Sequence, residues 1–270
     1  MKPPTISLIF CLFLTTISTA CMQRRINSKT MNFHKNIIVA HRGAWKKLGL
    51  PENSIASLRH SIDLNCVGTE FDVRMTKDEV LIVNHDPEFN HMSIENHTYE
   101  ELNQFKLSNG ESLPKLIDFL KAGVHQNLGT QLVLEIKPAE KGPEHGKYIA
   151  GKVYRLIQKL KLSAYVTYIS FDLGMLQMLE SLAPSVITQY LEGDKSPTEL
   201  KKLGINGLDY HFDIFKNHRS WIEEAKSLGL ILNVWTVNNV TDMNFFIRSG
   251  FDYITTNEPE LLADQIQSKQ

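Results

Sequence analysis

Two histidines, three carboxylates and two cationic side chains fall at the ends of short apolar runs in this chain. His41-Arg42-Gly43 follows Ile37–Ala40, Glu70-Phe71-Asp72 closes the run from Val67, and His85-Asp86 follows Val80–Val83. Glu135 and Lys137 close a further run, Gln131–Ile136. Short apolar runs bounded by polar residues read as buried strands, so these groups belong to strand C-termini, the catalytic face of a β/α barrel. Imidazoles exchange protons near neutral pH, carboxylates hold hard divalent cations, and Arg and Lys bind phosphate oxygens. The chemistry this set could perform is metal-assisted cleavage of a phosphodiester.

The spacing sharpens that reading. Glu70 and Asp72 lie two residues apart, so on a strand they face the same side. In a barrel that side is the interior, where unpaired carboxylates are costly. Together with Glu135 they fit one divalent cation, Mg²⁺ or Ca²⁺, although salt bridges to Lys or Arg would also satisfy them. His41 and His85 form an acid–base pair, and Asp86 either orients His85 or simply opens the next loop. Gly43 would let the backbone approach a phosphate. Lys137 either grips phosphate or pairs with Glu135.

Eight candidate strands position these groups: Ile37–Ala40, Val67–Val73, Gln131–Ile136, Tyr165–Ser170, Val186–Tyr190, Gly207–Tyr210, Ile231–Trp235 and Tyr253–Thr255. Helical patterns alternate with them, with Ser54 as an N-cap, Pro197 and Pro259 at first helical positions, and Gly229 and Gly250 at helix ends. The helices expected include Lys147–Lys161, Leu173–Leu182 and Pro259–Gln265. Val80–Val83 folds back as a hairpin on the second strand. The polar stretch from Asp86 to Pro114 is a functional loop or small subdomain with a short helix over Tyr99–Phe105. The fold class is α/β, a TIM (β/α)8 barrel with a small insertion after the second barrel strand, spanning residues 36–270.

Composition agrees: 42% hydrophobic and 22% charged residues over 270 positions suffice for a buried core, and a net charge of −1 offers no basic surface for nucleic acid. Residues 1–20 read as a signal peptide, with Lys2, an apolar stretch from Ile6 to Ile17 and a small-residue site at Ser18-Thr19-Ala20. Cys21 resembles the lipidated cysteine of a bacterial lipobox, though Ser18 stands where Leu is usual and an ordinary signal peptidase could also cut there. Residues 21–35 then form a tether. The expected destination is a lipoprotein of the periplasm or outer membrane, or otherwise a soluble exported protein. Cys66 is the one cysteine left in the domain and reads as a buried small residue.

His41-Arg42-Gly43, Pro51-Glu52-Asn53-Ser54, Glu70-x-Asp72-Val73, Thr76-Lys77-Asp78 and Val83-x-His85-Asp86 resemble the glycerophosphodiester phosphodiesterase family in order and spacing. Glu135-Ile136-Lys137, Ser170-Phe171-Asp172, Trp235-Thr236-Val237-Asn238 and Thr255-Thr256-Asn257-Glu258-Pro259 extend the resemblance over about residues 37–262. The resemblance implies a TIM barrel that uses a divalent cation to hydrolyse glycerophosphodiesters to an alcohol and sn-glycerol 3-phosphate. By position it implies Glu70, Asp72 and Glu135 as metal ligands, His41 and His85 as the acid–base pair, and Arg42 and Lys137 on the phosphate. It places Trp235 on the glycerol side of the pocket and Glu52 as a support for the metal or His41. The chain departs from the family at Ser54 in place of Thr, at Asn257 in place of Asp, and in lacking an Arg-Thr-Thr run after His85-Asp86. Two other readings stay open: a related phospholipase D or lyase acting on lysolipids, hinted at by the apolar Phe89–Met92 loop, and a non-catalytic glycophosphate-binding lipoprotein. The residues assign neither head group nor oligomeric state.

Overall fold

A computed structural model describes residues 32–268 of the protein. Cys21 and the expected signal peptide lie outside the described residues. Eight parallel strands form the barrel: β1 (Ile38–Ala40), β2 (Gly68–Met75), β6 (Gln131–Ile136), β7 (Val166–Ser170), β8 (Ile187–Tyr190), β9 (Gly207–His211), β10 (Ile231–Trp235) and β11 (Tyr253–Thr256). Each pairs with the next, and β1 pairs with both β2 and β11, which closes the barrel. All eight expected strands are present, with ends within two residues of those read from the pattern. β3 (Leu81–Val83) returns antiparallel on β2, as the turn at Thr76–Glu79 suggests.

Each helix follows its strand for a local reason. Helix α1 (Ile55–Asp63) starts because Ser54 accepts the Ser57 N–H, and it buries Leu58 and Ile62. Helix α5 (Leu173–Leu182) is capped by Asp172, which accepts from Gly174 and Met175; that residue of the family motif is therefore structural. Helix α6 (Pro197–Lys202) carries a Ser196–Glu199 capping box. Helix α4 (Pro143–Leu160) begins four residues earlier than its periodicity indicated, because Gly142 turns at φ 96° and Pro143 opens the helix. Helix α7 (Phe212–Asn217) was not legible: it follows β9 without a loop, capped by His211, and is too short for periodicity to register.

The insertion contains a two-stranded hairpin, β4 (Glu88–Phe89) with β5 (Met92–Ser93), and helix α2 (Tyr99–Leu102). It has its own apolar cluster of Ile82, Ile94, Leu102 and Leu113, and Phe89 and Met92 pack against it. The apolar loop that hinted at lysolipid binding is thus partly consumed by local packing.

Strand alternation divides the side chains into two layers. Phe71, Val73, Leu134, Ile136 and Tyr168 face outward into the helices, while Glu70, Asp72 and Glu135 face inward. The interior holds a small apolar plug of Val39, Val133, Ile169 and Leu191. Beside it lie buried polar groups: Thr167, Gln189, Asp209, Asn233 and Thr255. Residues 32–36 run under the strand N-termini, where Phe33 packs on the plug, the His34 N–H donates to Gly129 O at 2.9 Å, and Asn36 Oδ1 accepts from Val67 N at 3.0 Å. They occupy the rim opposite the strand C-termini. Among the described residues, no helix is long and apolar enough to cross a membrane.

Candidate active site

The turn after β1 shapes one wall of the site. Arg42 and Gly43 both adopt left-handed backbone, with φ of 54° and 84°. This turns the Arg42 N–H onto Glu70 Oε2 at 2.8 Å and its carbonyl onto the Asn53 N–H at 2.9 Å. A Cβ on Gly43 would lie 2.4 Å from Ser57 Oγ and 2.7 Å from the Ser57 carbonyl carbon. The glycine is therefore required for packing against α1. Gly43→Ala should destabilise the protein by about 2–4 kcal/mol through strain and overlap, read as a lowered denaturation midpoint.

Glu70, Asp72 and Glu135 offer oxygens that all lie within 4.8 Å of one another, and all three side chains are buried. Asp72 stands opposite Glu135 in the β2–β6 register. Burial would raise the Asp72 carboxyl, but Lys137, His85, Asn53 and Arg42 outweigh it and hold the group below its ordinary range. Asn53 is central here: its amide donates to Asp72 Oδ2 at 2.8 Å and its Oδ1 accepts the Asp72 N–H at 3.2 Å. Burial, with Asp72 and Glu135 nearby, pushes Glu70 well above its ordinary value. Burial and Asp72 push Glu135 up to about 7 against the opposing pull of Lys137. Glu70 Oε1 is buried without a hydrogen-bond partner. Such a cluster, rich in hard oxygen donors and short of donors to them, fits one divalent cation.

Lys137 lies inside this cluster, its Nζ 2.7 Å from Glu135 Oε1 and 3.4 Å from Asp72 Oδ1. Both readings of this residue meet in one place, since the ammonium pairs with carboxylates and also lines the cavity. Glu52 acts at one remove: its carboxylate, 43% exposed, pairs with Arg42 Nη1 at 2.8 Å, and Arg42 in turn donates its N–H to Glu70 and places Nε 3.7 Å from Asp72 Oδ2. The adjacent Asn53, turned inward by its own left-handed φ of 56°, meets Asp72 directly.

His41 Nδ1 meets Asn257 Oδ1 at 2.7 Å, and its Nε2 lies 3.9 Å from Glu70 Oε2. An amide oxygen only accepts, so Nδ1 carries the proton and Nε2 is free as an acceptor. Burial and then the Arg42 charge lower the His41 pKa to about 4, with Asn257 and Asp72 opposing. His85 Nδ1 meets Asp86 Oδ1 at 2.7 Å, which assigns Asp86 the orienting role. Arg74 Nε donates to the His85 carbonyl at 2.8 Å and fixes that backbone.

These groups line a cavity of about 460 Å³ including its mouth. Its other wall is formed by Ile169, Phe171, Leu191 and Trp235. The Trp235 indole N–H donates to the Asp209 carbonyl at 2.8 Å, and its ring meets Phe171 edge-on at 5.6 Å. Every expected catalytic or binding residue except Asp72 and Glu52 lines this cavity, and Asp72 lies just behind it. Sequence reasoning gave no role to Asn53, Arg74, Phe171 or Asp209. An acid at interior parity in the apolar strand Gly207–Tyr210 was a usable signal for the last of these.

A parallel (β/α)8 barrel with two histidines, a carboxylate cluster and cationic groups around one cavity on its C-terminal rim defines a phosphoesterase-type enzyme. Residues 41–261 match the sequence profile of the glycerophosphoryl diester phosphodiesterase family. The crystal structure of a glycerophosphodiester phosphodiesterase from Parabacteroides distasonis shares 37% identity and superposes with a TM-score of 0.84, covering 88% of this chain and 99% of that one. A glycerophosphodiester phosphodiesterase of Caldanaerobacter subterraneus subsp. tengcongensis is 27% identical over 247 residues, 86% of this chain and 98% of the relative. An Oleispira antarctica phosphodiesterase solved with the product sn-glycerol 3-phosphate shares the fold at 20% identity, with a TM-score of 0.74 over 86% of this chain and 97% of that one. The chain belongs to the glycerophosphoryl diester phosphodiesterase family.

Proposed function

We propose that the protein hydrolyses glycerophosphodiesters to an alcohol and sn-glycerol 3-phosphate with one divalent cation, Mg²⁺ or Ca²⁺, and two histidines. The observation that carries this reading is the single cavity that joins His41 and His85 to Glu70, Glu135, Arg42 and Lys137. Glu70, Asp72 and Glu135 would hold the cation, which when bound supplies positive charge to the phosphoryl oxygens and acidity to a nearby hydroxyl or water. Arg42 and Lys137 add charge against the phosphate. His41, kept neutral by burial beside Arg42, accepts the nucleophile's proton at Nε2. His85, with Nδ1 held by Asp86, gives a proton from Nε2 to the departing alkoxide. Trp235 and Phe171 form the apolar wall against which the glycerol carbons lie.

The Asn257 side chain bears on the proton acceptor. Asn257→Asp places a carboxylate at His41 Nδ1, favouring the imidazolium. The acidic limb of the kcat/KM–pH profile should then move to higher pH, with activity lost earlier as pH falls. An unchanged limb would remove His41 from the proton-accepting role.

The N-terminal segment bears on substrate access. We propose export and, at Cys21, a lipid anchor as the membrane association. Residues 32–36 lie on the rim opposite the cavity, so such an anchor would leave the site facing away from the lipid surface. That arrangement favours water-soluble diesters over membrane lipids. The deciding experiment is release of sn-glycerol 3-phosphate from glycerophosphocholine and glycerophosphoethanolamine, with and without Mg²⁺ or Ca²⁺, alongside lysophosphatidylcholine. Turnover of the lysolipid alone, or none in any metal condition, would reject the proposal.

A further inference from the structure

Glu95 is a buried carboxylate in the insertion, 4% exposed, that the proposed chemistry leaves unused. It lies in a 3₁₀ turn, Ile94–Asn96, and reaches out of the insertion to the loop between β6 and α4. There Oε1 accepts the Glu140 N–H at 2.9 Å and Oε2 accepts the Lys141 N–H at 3.2 Å. Lys141 Nζ returns to the Glu95 carbonyl at 2.7 Å, so the contact is closed from both sides. A carboxylate is costly to bury. This one is kept by two backbone donors that lie between a strand and a helix and need an acceptor. What the charge adds over an apolar side chain is a fixed join between two loops.

Both loops begin at residues that line the cavity, His85 for the insertion and Lys137 for the β6–α4 loop. The His85 segment is cross-tied on the way to Glu95. Asn84 Nδ2 donates to the Asp86 carbonyl at 2.8 Å, and the Ile94 N–H donates to the Pro87 carbonyl at 2.9 Å. Ile94 is itself fully buried in the insertion's apolar cluster. A shift at Glu95 is therefore carried back to Asp86 and His85. Arg74 gives a second route. Its Nε holds the His85 carbonyl; burial lowers its pKa, and the charges of Asp72, Glu135, Glu140 and Glu95 oppose that effect. We infer that Glu95 is a positioning residue for His85: by pinning the insertion to the β6–α4 loop, it holds the proton donor where the departing alkoxide needs it. This rests on His85 being that donor, as proposed above. The insertion has another clamp of the same kind, which serves as a control. Glu111 Oε2 and Oε1 accept the Ile55 and Ala56 N–H groups at 2.9 and 3.1 Å, gripping helix α1 rather than the His85 segment.

The test compares two substrates that differ in their need for a proton, with Mg²⁺ or Ca²⁺ present. Glycerophosphocholine releases an alkoxide, which must be protonated. The p-nitrophenyl ester of sn-glycerol 3-phosphate releases p-nitrophenolate, which departs as the anion. Glu95→Ala should lower kcat on glycerophosphocholine by roughly 10- to 100-fold, the order of loss when a reacting group is misplaced by about 1 Å, and far less on the p-nitrophenyl ester. Glu95→Gln, with one acceptor oxygen for two donors, should fall between E95A and wild type. Glu111→Ala should lower thermal stability and reduce kcat on the two substrates by the same factor. An equal loss on both substrates in E95A, or the same discrimination in E111A, overturns the inference, since Glu95 would then serve only the packing of the insertion. If E95A does not fold, the ratio of the two rates in E95Q decides, and a ratio equal to that of wild type overturns the inference. His85→Ala on the same pair keeps the two levels apart. Discrimination in H85A with none in E95A rejects the role of Glu95 alone, whereas no discrimination in H85A rejects His85 as the donor.

Discussion

His85→Ala should lower kcat by roughly 10²–10⁴-fold, the range for loss of a positioned proton donor, while Mg²⁺ or Ca²⁺ binding measured by calorimetry stays within a few-fold of wild type. The separation follows from position. His85 lies on the loop after β3 and is held at Nδ1 by Asp86 and at its carbonyl by Arg74, so no hydrogen bond of the acidic cluster depends on it. Its side chain is about one-third exposed, 32%, and truncation leaves no buried void to collapse. A variant with full activity would remove His85 from the chemistry. One that lost cation binding in proportion to kcat would place it in the metal site instead.

Glu70→Gln should move activity and stability in opposite directions. The amide keeps an oxygen for the Arg42 N–H and gains an N–H₂ to donate toward its carboxylate neighbours. Relieving a crowded buried charge in this way should stabilise the metal-free protein by about 1.5–3 kcal/mol. Cation affinity should fall by more than about 100-fold, since losing even a residue that merely supports a ligand costs 10- to 100-fold. Turnover should fall with it.

The same cluster sets a pH dependence. Glu70 and Glu135 have raised values in the folded state, so folded protein binds protons that the unfolded chain has already released. Stability from these two groups is present below the ordinary carboxylate range and lost as pH rises, for Glu135 through about 7. His41, lowered to about 4, acts in the opposite sense but only below its ordinary value of 6.5. From pH 6.5 to 8 the carboxylates act without it, and metal-free protein should become less stable across that window. Saturating Mg²⁺ or Ca²⁺ should flatten or reverse the slope, and E70Q should reduce it. A flat metal-free profile would mean that Lys137 and Arg42 fully compensate the cluster.

The contrast between Glu52 and Asn53 shows where sequence reasoning stopped. Adjacent residues before a helix differ in direction by a single backbone state, and the left-handed φ at Asn53 sends its side chain to Asp72 while Glu52 meets Arg42 at the surface. Nothing in Pro51-Glu52-Asn53-Ser54 announces that state. Gly43 is a similar case: only the position of Ser57 shows that α1 claims the space a side chain would fill. Asp86 was undecided between two roles until its distance to His85 Nδ1 was available.

What the sequence determined by itself was everything periodic or local. Alternation along β2 put Glu70 and Asp72 on one face, apolar runs marked the eight strands, and Ser54, Pro197 and Pro259 marked helix starts. Those features depend on covalent spacing and on side-chain parity, which a linear string carries in full. Tertiary structure decided which oxygens meet. It set Asp72 against Glu135 across two strands, placed Lys137 among the carboxylates, and brought Asn257 to His41 from 216 residues away. Hydrogen bonds and charge interactions vary over fractions of an ångström, whereas strand pattern varies over whole residues. The elements are therefore written in the chain, and the site they build exists only once the barrel closes.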